Sequence, residues 1–332
     1  HVNAGIQEGM GFMGELARVN LDYERDEPSA PRTLIAKLPA TAPENREVAE
    51  AFRFYEREVR FYEQIADTVE LRTPRCYYSA FDPETGDYVL LLEDLAPARV
   101  GDQLAGCTVD EADLCITNLA RFHATWWDSP QLEELQWMPY ANDPLIAQSA
   151  YDSYHKAWPP FVEFVGGKLS PKMRGIGDRF GQNVIELMNR FGEPPRTIIH
   201  GDYRLDNMFF ATPDGGDPLT VIDWQISSRG RGIFDLAYFA CGTLPSAERK
   251  KAEMDLLRTY HELLSAHGVK GYSFDQCFED YRASVLCCLI YAVIGIGNLD
   301  LANERGVELF MTIMQRTTSA IEDLNAGELL PA

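Results

Sequence analysis

The N-terminal part of the chain alternates apolar and polar residues as short strands do, with one helical pattern between them. Strand-like runs occupy residues 15–20, 32–38, 75–81 and 87–94, and turn-forming residues separate the last two. Between residues 45 and 67, apolar and aromatic residues recur at helical spacing, which predicts one amphipathic helix. These patterns together predict a small sheet with one covering helix.

Beyond residue 95 the pattern becomes mainly helical. Long helices are predicted over residues 109–127 and over much of residues 245–321. An island of strands at residues 197–210 and 219–225, separated by a turn at residues 212–217, predicts a hairpin embedded in helices. We therefore place a boundary just after Asp94, which gives two lobes, residues 1–94 and residues 95–332.

The composition is that of a soluble globular protein with an acidic balance. Of the 332 residues, 45% are hydrophobic, and 51 Asp and Glu against 30 Lys and Arg give a formal net charge of -21. An acidic surface repels phosphate backbones and anionic lipids, so neither nucleic acid nor membrane is expected as a partner. The longest apolar stretch, residues 283–297, is shorter than the roughly 20 residues that cross a bilayer, so we expect a buried helix there.

The cysteines are expected to be reduced packing residues. Their number, seven, is odd, and no pair has C-x-x-C spacing, which argues against a disulfide framework or a sulfur-bound metal. A cytoplasmic location follows as the expectation. Because the first residue is His1 rather than Met, we expect the natural chain to begin upstream of it.

The strand island carries residues whose chemistry suits phosphoryl transfer. Asp202 and Asn207 lie five residues apart, and Asp223 follows at the end of the next strand-like run. Phosphoryl transfer needs a carboxylate to accept the proton of the attacking hydroxyl, and Mg²⁺ held by hard oxygen ligands. We predict Asp202 as the base and Asn207 and Asp223 as metal ligands. The alternative is that Asp202 and Asn207 only close the loop through hydrogen bonds.

The same segment resembles a family signature. HGDYRLDN followed by VIDWQ is similar to the H-x-D-x-x-x-x-N and I-D-W/F motifs of the aminoglycoside phosphotransferase and choline kinase superfamily, and most of all to its ecdysteroid-kinase-like branch. The resemblance implies an α+β, two-lobed protein-kinase-like fold, with a small N-terminal antiparallel β-sheet lobe and a larger, mainly helical C-terminal lobe. It also implies an ATP- and Mg²⁺-dependent kinase that phosphorylates a hydroxyl group of a small molecule.

The resemblance further implies how the first lobe binds ATP. Gly9, Gly11 and Gly14 form a G-x-G-x-x-G run whose backbone amides can approach phosphates. A dinucleotide-binding interpretation would need a helix directly after this run, whereas the following residues alternate as a strand does. Glu93 and Leu95 resemble the hinge residues whose backbone carbonyl and amide contact adenine.

Lys37 resembles the lysine that holds the α- and β-phosphates. It is an isolated cation among apolar residues, and such a cation requires a partner. Glu58 on the predicted helix best matches the family pattern, while Glu56 and Glu63 are alternatives. Another possibility is that Lys37 lies on an edge strand and reaches water.

Three further residues are expected to support the site without taking part in chemistry. Asp235 resembles the acidic residue that braces the catalytic loop in this superfamily. His200 and His123 are interpreted as packing and hydrogen-bonding residues rather than as bases.

The sequence also departs from neighbouring enzyme classes. Gly201 separates the His from the Asp, Trp224 follows the metal aspartate, and no A-P-E segment is recognisable, which argues against protein substrates. The motif G-x-x-x-x-G-K-[ST] is absent, which excludes P-loop kinases. A catalytically silent, pseudokinase-like nucleotide-binding module remains the alternative function.

The acceptor is expected to be a small hydroxylated molecule. An aminoglycoside, an amino alcohol such as choline, and an apolar alcohol such as a sterol all remain open. The aromatic residues of the helical half that favour an acceptor with apolar surface are Trp126, Trp127, Trp137, Trp158, Phe161, Phe164 and Tyr291.

Overall fold

The computed structural model describes residues 13–25, 28–297 and 303–331. Its strands are β1 Gly14–Asn20, β2 Thr33–Pro39, β3 Cys76–Phe81, β4 Tyr88–Glu93, β5 Arg99–Val100, β6 Thr197–Ile199, β7 Met208–Thr212, β8 Gly215–Val221 and β9 Ser228–Gly230. Its helices are α1 Pro43–Ala51, α2 Phe54–Gln64, α3 Val109–Trp126, α4 Pro144–Val165, α5 Pro171–Gly192, α6 Ile233–Thr243, α7 Ser246–Ala266, α8 Phe274–Cys287, α9 Leu289–Gly297 and α10 Glu304–Asp323.

The described residues divide into two compact units. The first contains those of His1–Arg99 together with Met208–Ser227, and the second contains those of Val100–Asn207 and Ser228–Ala332. The first unit holds most of the strands and the second most of the helices. We call them the sheet unit and the helical unit.

The sheet unit contains an antiparallel sheet with the strand order β1-β2-β4-β3. Its central strands bury every second residue, which include Leu34 and Ala36 on β2 and Leu90 and Leu92 on β4. This burial follows from the apolar alternation in the sequence, because successive side chains of a strand point to opposite faces.

Two helices occupy the region where the sequence predicts one helix over residues 45–67, so that prediction is wrong. Between α1 and α2, Arg53 has a left-handed φ of 56°, which ends the first helix. The inner face of α2 is buried, including Val59, whereas α1 buries Ala49 and leaves Val48 exposed. The apolar spacing continues across the break, and periodicity alone therefore does not reveal it.

The predicted hairpin is present as β7 and β8, with Met208 opposite Val221. The predicted turn at residues 212–217 is too long, because β8 already begins at Gly215. Gly215 and Gly216 extend the strand with φ values of 133° and 100°, which side chains other than glycine rarely adopt. The first part of the predicted island, β6, pairs instead with β9, a strand that the sequence pattern did not indicate.

The helical unit is built around α6, most of whose residues are buried. α8 and α10 pack against α6, α3 packs against α7, and α4 packs against α9. α3 begins at a capping box, in which Thr108 and Glu111 exchange side-chain to backbone hydrogen bonds. This packing fixes α6, whose residues reach the loop that follows β6.

Among the described residues, one apolar helical segment is long enough to cross a membrane by length and composition alone. It is Phe274–Gly297, and 67% of its most apolar window is buried inside the structure. A core helix of a soluble protein passes the same test. The segment contains all of α8 and α9, and its second half, residues 283–297, is where the sequence predicts a buried helix.

Candidate active site

Lys37 is the centre of a buried charge cluster in the sheet unit. It lies on β2, between β1 and β4, and its side chain is 12% exposed. Its Nζ is 2.7 Å from Oε2 of Glu58 and 2.8 Å from Oδ1 of Asp223. Burial alone would lower the pKa of Lys37, but the charges of Asp223 and Glu58 outweigh burial and raise this pKa well above its ordinary value. Lys37 is therefore a buried ammonium ion, and not a lysine on an edge strand.

The structure distinguishes Glu58 from the two alternative partners on α2. The side chain of Glu58 is 1% exposed and faces the sheet. Glu56 pairs with Arg53 at 2.7 Å, and Glu63 pairs with Arg60 at 3.0 Å, both nearer the surface. The acidic partner of Lys37 on α2 is therefore Glu58.

Asp223 occupies a strained turn two residues after the end of β8. Its φ is 66°, in the left-handed region, which costs a residue with a side chain about 1–3 kcal/mol unless its surroundings enforce it. The next residue, Trp224, is fully buried and stacks on Phe61 with ring centroids 3.9 Å apart. The anchored indole fixes the turn that aims Asp223 at Lys37.

In the helical unit, Asp202 accepts hydrogen bonds on both carboxylate oxygens. Oδ1 accepts from the hydroxyl of Tyr238 at 2.9 Å, and Oδ2 accepts from Nε of Arg204 at 3.1 Å. Nδ2 of Asn207 donates to Oδ2 of Asp202 and to its backbone oxygen, both at 2.9 Å. Asp202 and Asn207 do close the loop, as the structural alternative proposed, but these bonds use the Nδ2 group of Asn207 and not its oxygen.

Asp235 braces the backbone of the same loop. Its carboxylate accepts hydrogen bonds from the amides of His200 at 2.6 Å and Gly201 at 2.9 Å. Gly201 has a φ of 84°, a conformation for which glycine is suited. His200 and His123 are both fully buried, and His123 contacts Asp235 and Tyr260 through its two ring nitrogens. The expectation that these histidines pack and form hydrogen bonds is confirmed.

The remaining predicted nucleotide-binding residues are placed as follows. Gly9 and Gly11 lie outside the described residues. Gly14 opens β1, where an added Cβ would lie 2.9 Å from the backbone oxygen of Leu38, so the site requires glycine. A strand, not a helix, follows the run, which excludes the dinucleotide-binding interpretation. Glu93 ends β4, and the adenine contacts expected of it and of Leu95 stay predictions.

The candidate acceptor aromatics separate into two groups by exposure. Trp126, Trp137 and Phe161 are buried core residues. Phe164 and Tyr291 are exposed, and Trp127 and Trp158 are half-buried. Only the members of the second group present surface to a ligand.

Sequence reasoning missed several residues that support the site. Tyr238 and Arg204 donate hydrogen bonds to Asp202. Oε1 of Gln103 accepts a hydrogen bond of 2.9 Å from the backbone amide of the loop residue Leu205. Tyr238 lies three residues after Asp235, so the position of a polar side chain on the same helical face was a usable signal. Gln103 lies about a hundred residues before the loop, and nothing in the local pattern indicates its contact.

A short segment of the chain matches curated proteins. Over 42 residues it is 45% identical to acyl-CoA dehydrogenase family member 10 from Mus musculus. This segment is 13% of the present chain and 4% of that protein, so the chain spans a small part of the curated relatives that it matches.

Solved structures with a similar fold are protein-kinase-like phosphotransferases. A choline kinase from Cryptosporidium parvum has a TM-score of 0.59 and 11% identity, with 98% of this chain and 91% of that chain covered. The GDP complex of wild-type aminoglycoside 2'-phosphotransferase-IIIa has a TM-score of 0.55 and 14% identity, covering 95% and 93%. At such low identity these matches show the fold alone, and they confirm the predicted α+β, protein-kinase-like fold.

The family is shown by a match over most of the sequence. Residues 8–270 match the ecdysteroid kinase-like family. Family and fold together indicate a kinase-like phosphotransferase of small molecules, and the predicted superfamily and branch are confirmed. The chain belongs to the ecdysteroid kinase-like family.

Proposed function

We propose that this protein is an ATP- and Mg²⁺-dependent kinase that phosphorylates a hydroxyl group of a small molecule. The observation that carries the proposal is the buried Lys37 ammonium, held at once by Glu58 and Asp223. In kinase-like enzymes a lysine with an acidic partner on a helix orients the nucleotide phosphates. The strained backbone of Asp223 supports the proposal, because such strain concentrates at functional sites.

The side chains predicted to hold Mg²⁺ have suitable donor atoms. Asn207 forms its hydrogen bonds to Asp202 through Nδ2, which leaves its Oδ1 as a hard oxygen donor, and Asp223 supplies a carboxylate. Among the described residues, no group of three or more His, Cys, Asp or Glu side chains could hold a metal by itself. Such a sparse donor set suits Mg²⁺, which proteins often bind through one or two side chains together with substrate phosphates. When bound, the ion would neutralise charge on the phosphate oxygens.

The reaction is proposed as a direct in-line transfer. Asp202 accepts the proton of the acceptor hydroxyl while the hydroxyl oxygen bonds to the terminal phosphorus of ATP. The bond from that phosphorus to the bridging oxygen breaks, and its electron pair leaves with ADP. Lys37 orients the nucleotide phosphates, and the glycines near β1 offer backbone amides to them. No covalent phosphoenzyme is needed.

The scope of the proposal follows from the sequence. The acceptor is a small hydroxylated molecule, and neither nucleic acid nor a membrane is proposed as a partner because the chain carries a formal net charge of -21. A cytoplasmic location is proposed as well. Adenine would be read by the backbone of Glu93 and Leu95, which makes the choice between ATP and GTP a separate measurement.

The proposal is tested by following ADP release from Mg-ATP against a panel of hydroxylated metabolites and aminoglycosides. For an acceptor that stimulates release, Asp202→Ala should lower kcat by about 10²–10⁴-fold, the usual contribution of general acid–base groups. Calorimetry with a non-hydrolysable ATP analogue should give an unchanged Kd. Parallel reactions with Mg-GTP measure the nucleotide preference.

Asp214→Ala is the matched control, because Asp214 is an exposed carboxylate on the connection between β7 and β8. Full turnover in the Asp202→Ala variant would refute the assignment of the base. Nucleotide binding by the wild type without phosphate transfer to any acceptor or to water would instead favour the pseudokinase-like alternative.

A further inference from the structure

One face of α6 contacts the loop of Asp202 at two points. Asp235 and Tyr238 are three residues apart and so lie on the same side of the helix. Asp235 binds the backbone amides of His200 and Gly201, just before Asp202. Tyr238 binds the side chain of Asp202 itself, through a hydrogen bond of 2.9 Å from its hydroxyl to Oδ1. The helix therefore holds both the backbone of the loop and its carboxylate.

The two oxygens of Asp202 differ in their remaining capacity. A carboxylate oxygen has two lone-pair directions for hydrogen bonds. Oδ2 receives two donors, Nε of Arg204 and Nδ2 of Asn207. Among the described residues, the hydroxyl of Tyr238 donates a hydrogen bond to Oδ1. The second lone-pair direction of Oδ1 can therefore accept a further hydrogen bond. The oxygen with capacity to take a proton is thus Oδ1.

The ring of Tyr238 is held by two aromatic neighbours. Phe234 stacks on it with ring centroids 6.1 Å apart and planes at 13°, and Tyr291 meets it edge-on at 4.9 Å. A tyrosine has few rotatable bonds, so a ring packed in this way directs its hydroxyl with little loss of entropy. The hydroxyl of Tyr238 is therefore a fixed donor and not a mobile one.

We propose that Tyr238 is a positioning residue for the base: its hydroxyl orients the carboxylate of Asp202 so that the open side of Oδ1 receives the proton of the acceptor. This inference rests on the proposed kinase function. Phosphoryl transfer depends strongly on the placement of the acceptor oxygen, so the orientation of Oδ1 is the property that Tyr238 is proposed to control.

The catalytic test uses Mg-ATP with water as the phosphoryl acceptor, so that no other acceptor has to be identified. Tyr238→Phe removes the hydroxyl and keeps the ring. We expect kcat for ADP release to fall about tenfold, as for the loss of one hydrogen bond to a charged group in the transition state. KM for Mg-ATP should change less than about twofold, because Tyr238 is proposed to act on Asp202 and not on the nucleotide.

Tyr272→Phe is the matched control. It removes the hydroxyl of another buried tyrosine that donates to a carboxylate, Oδ2 of Asp280, at 3.2 Å. This pair lies elsewhere in the helical unit, so ADP release should stay at the wild-type rate. An equal fall in kcat for both variants would show a general effect of losing a buried hydroxyl and would overturn the positioning role.

A double-mutant cycle tests the hydrogen bond independently of activity. Urea unfolding is measured for Tyr238→Phe, Asp202→Ala and the double variant, because alanine at position 202 leaves no acceptor for the hydroxyl. The fold-change in the unfolding constant of the double variant should be smaller than the product of the two single fold-changes, because the second substitution removes a bond that is already lost. If the fold-change of the double variant equals the product of the two single fold-changes, the hydrogen bond does not hold Asp202 and the proposal is overturned.

Failure of this inference differs from failure of the proposed function. If the wild type releases ADP and Tyr238→Phe does so at the same kcat, only the positioning role is overturned. If the wild type releases no ADP from Mg-ATP under any condition, the kinase function fails, and the role of Tyr238 fails with it.

Discussion

Two buried cations among the described residues, Lys37 and Arg249, are each held by two carboxylates. Comparing them distinguishes a proposed nucleotide-binding cluster from one that stabilises the fold. In the sheet unit, Lys37 of β2 binds Glu58 of α2 and Asp223, which follows β8. In the helical unit, Arg249 of α7 is fully buried and bonds to Glu253, one turn later on the same helix, and to Asp323 at the end of α10. Charge and burial are alike in the two clusters, so the difference lies in the cation.

The arginine forms a rigid fork and the lysine a compact point charge. Nη1 of Arg249 binds Glu253 and Nη2 binds Asp323, so the planar group ties α7 to α10. The hydroxyl of Tyr281 adds a bond of 3.2 Å from α8 to Glu253. The ammonium of Lys37 has no such planar group, and under the proposed function it binds phosphate oxygens. On that proposal the lysine cluster is a binding site and the arginine cluster a structural support.

The largest expected effect is on stability, from Arg249→Met. Removing the guanidinium leaves Glu253 buried without its cation, and breaking a buried pair in this way costs about 3–5 kcal/mol. Urea unfolding should show that loss as a lower midpoint. The folded fraction should keep its wild-type kcat for ADP release, because the cluster is not among the residues proposed to bind the nucleotide.

Arg258→Met is the control, since Arg258 lies on the same helix and pairs at the surface with Asp255. An exposed pair of this kind contributes less than about 1 kcal/mol. Equal midpoints for the two variants would show that the buried cluster is not a special support of the helical unit.

The next effect is on catalysis, from Lys37→Met. Loss of one preorganised charge that stabilises a transition state lowers kcat by about 10²–10³-fold, and we expect a fall of that size in ADP release. The Kd of Mg-ATP should rise as well, because Lys37 is proposed to hold the phosphates.

Lys251→Met serves as the control, as Lys251 is a surface lysine paired with Glu248. If Lys37→Met destabilised the protein as strongly as Arg249→Met but left kcat and Kd unchanged in the folded fraction, the lysine cluster would be a support like the arginine cluster. The distinction between the two clusters would then be lost.

What the sequence could predict depended on the distance along the chain. The strands of the sheet and the hairpin follow from local alternation, and the loop from Asp202 to Asn207 is a continuous motif. Glu58 as the partner of Lys37 required the family resemblance, because Glu56 and Glu63 lie on the same helix. The sequence did not predict the break between α1 and α2 at Arg53, because the helical spacing of apolar residues continues through it.

The local pattern of the sequence could not predict contacts between residues that lie far apart in the chain. The bond from Lys37 to Asp223 joins residues 186 positions apart, and the bond from Arg249 to Asp323 joins residues 74 positions apart. Neither cation is marked by its neighbours as belonging to a cluster of three charges. Which residues form such pairs depends on how the chain packs in three dimensions, and the residues next to each partner in the sequence do not indicate it.

The smallest effect concerns the pH dependence of the arginine cluster. Partial burial alone would raise the pKa of Asp323, but Lys250, Arg249 and Ser319 together lower it below its ordinary value. Because the folded state binds the proton of Asp323 less readily than the unfolded state, this contribution to stability is present above the ordinary Asp pKa of about 3.9 and is lost as pH falls through the folded pKa. Solvent reaches this carboxylate, so we expect a contribution below about 1 kcal/mol.

Asp323→Asn should therefore lower the free energy of unfolding at about pH 6, and the gap to the wild type should be narrower at about pH 3, below the ordinary Asp pKa, where the unfolded chain already binds the proton. Asp255→Asn, at a carboxylate that is 80% exposed, controls for the change of charge on the same unit. If the difference in the free energy of unfolding between Asp323→Asn and the wild type is the same at both pH values, Asp323 stabilises α10 through its packing and not through its charge. The arginine fork would then be supported by Glu253 alone, and its likeness to the two-carboxylate lysine cluster would be one of geometry only.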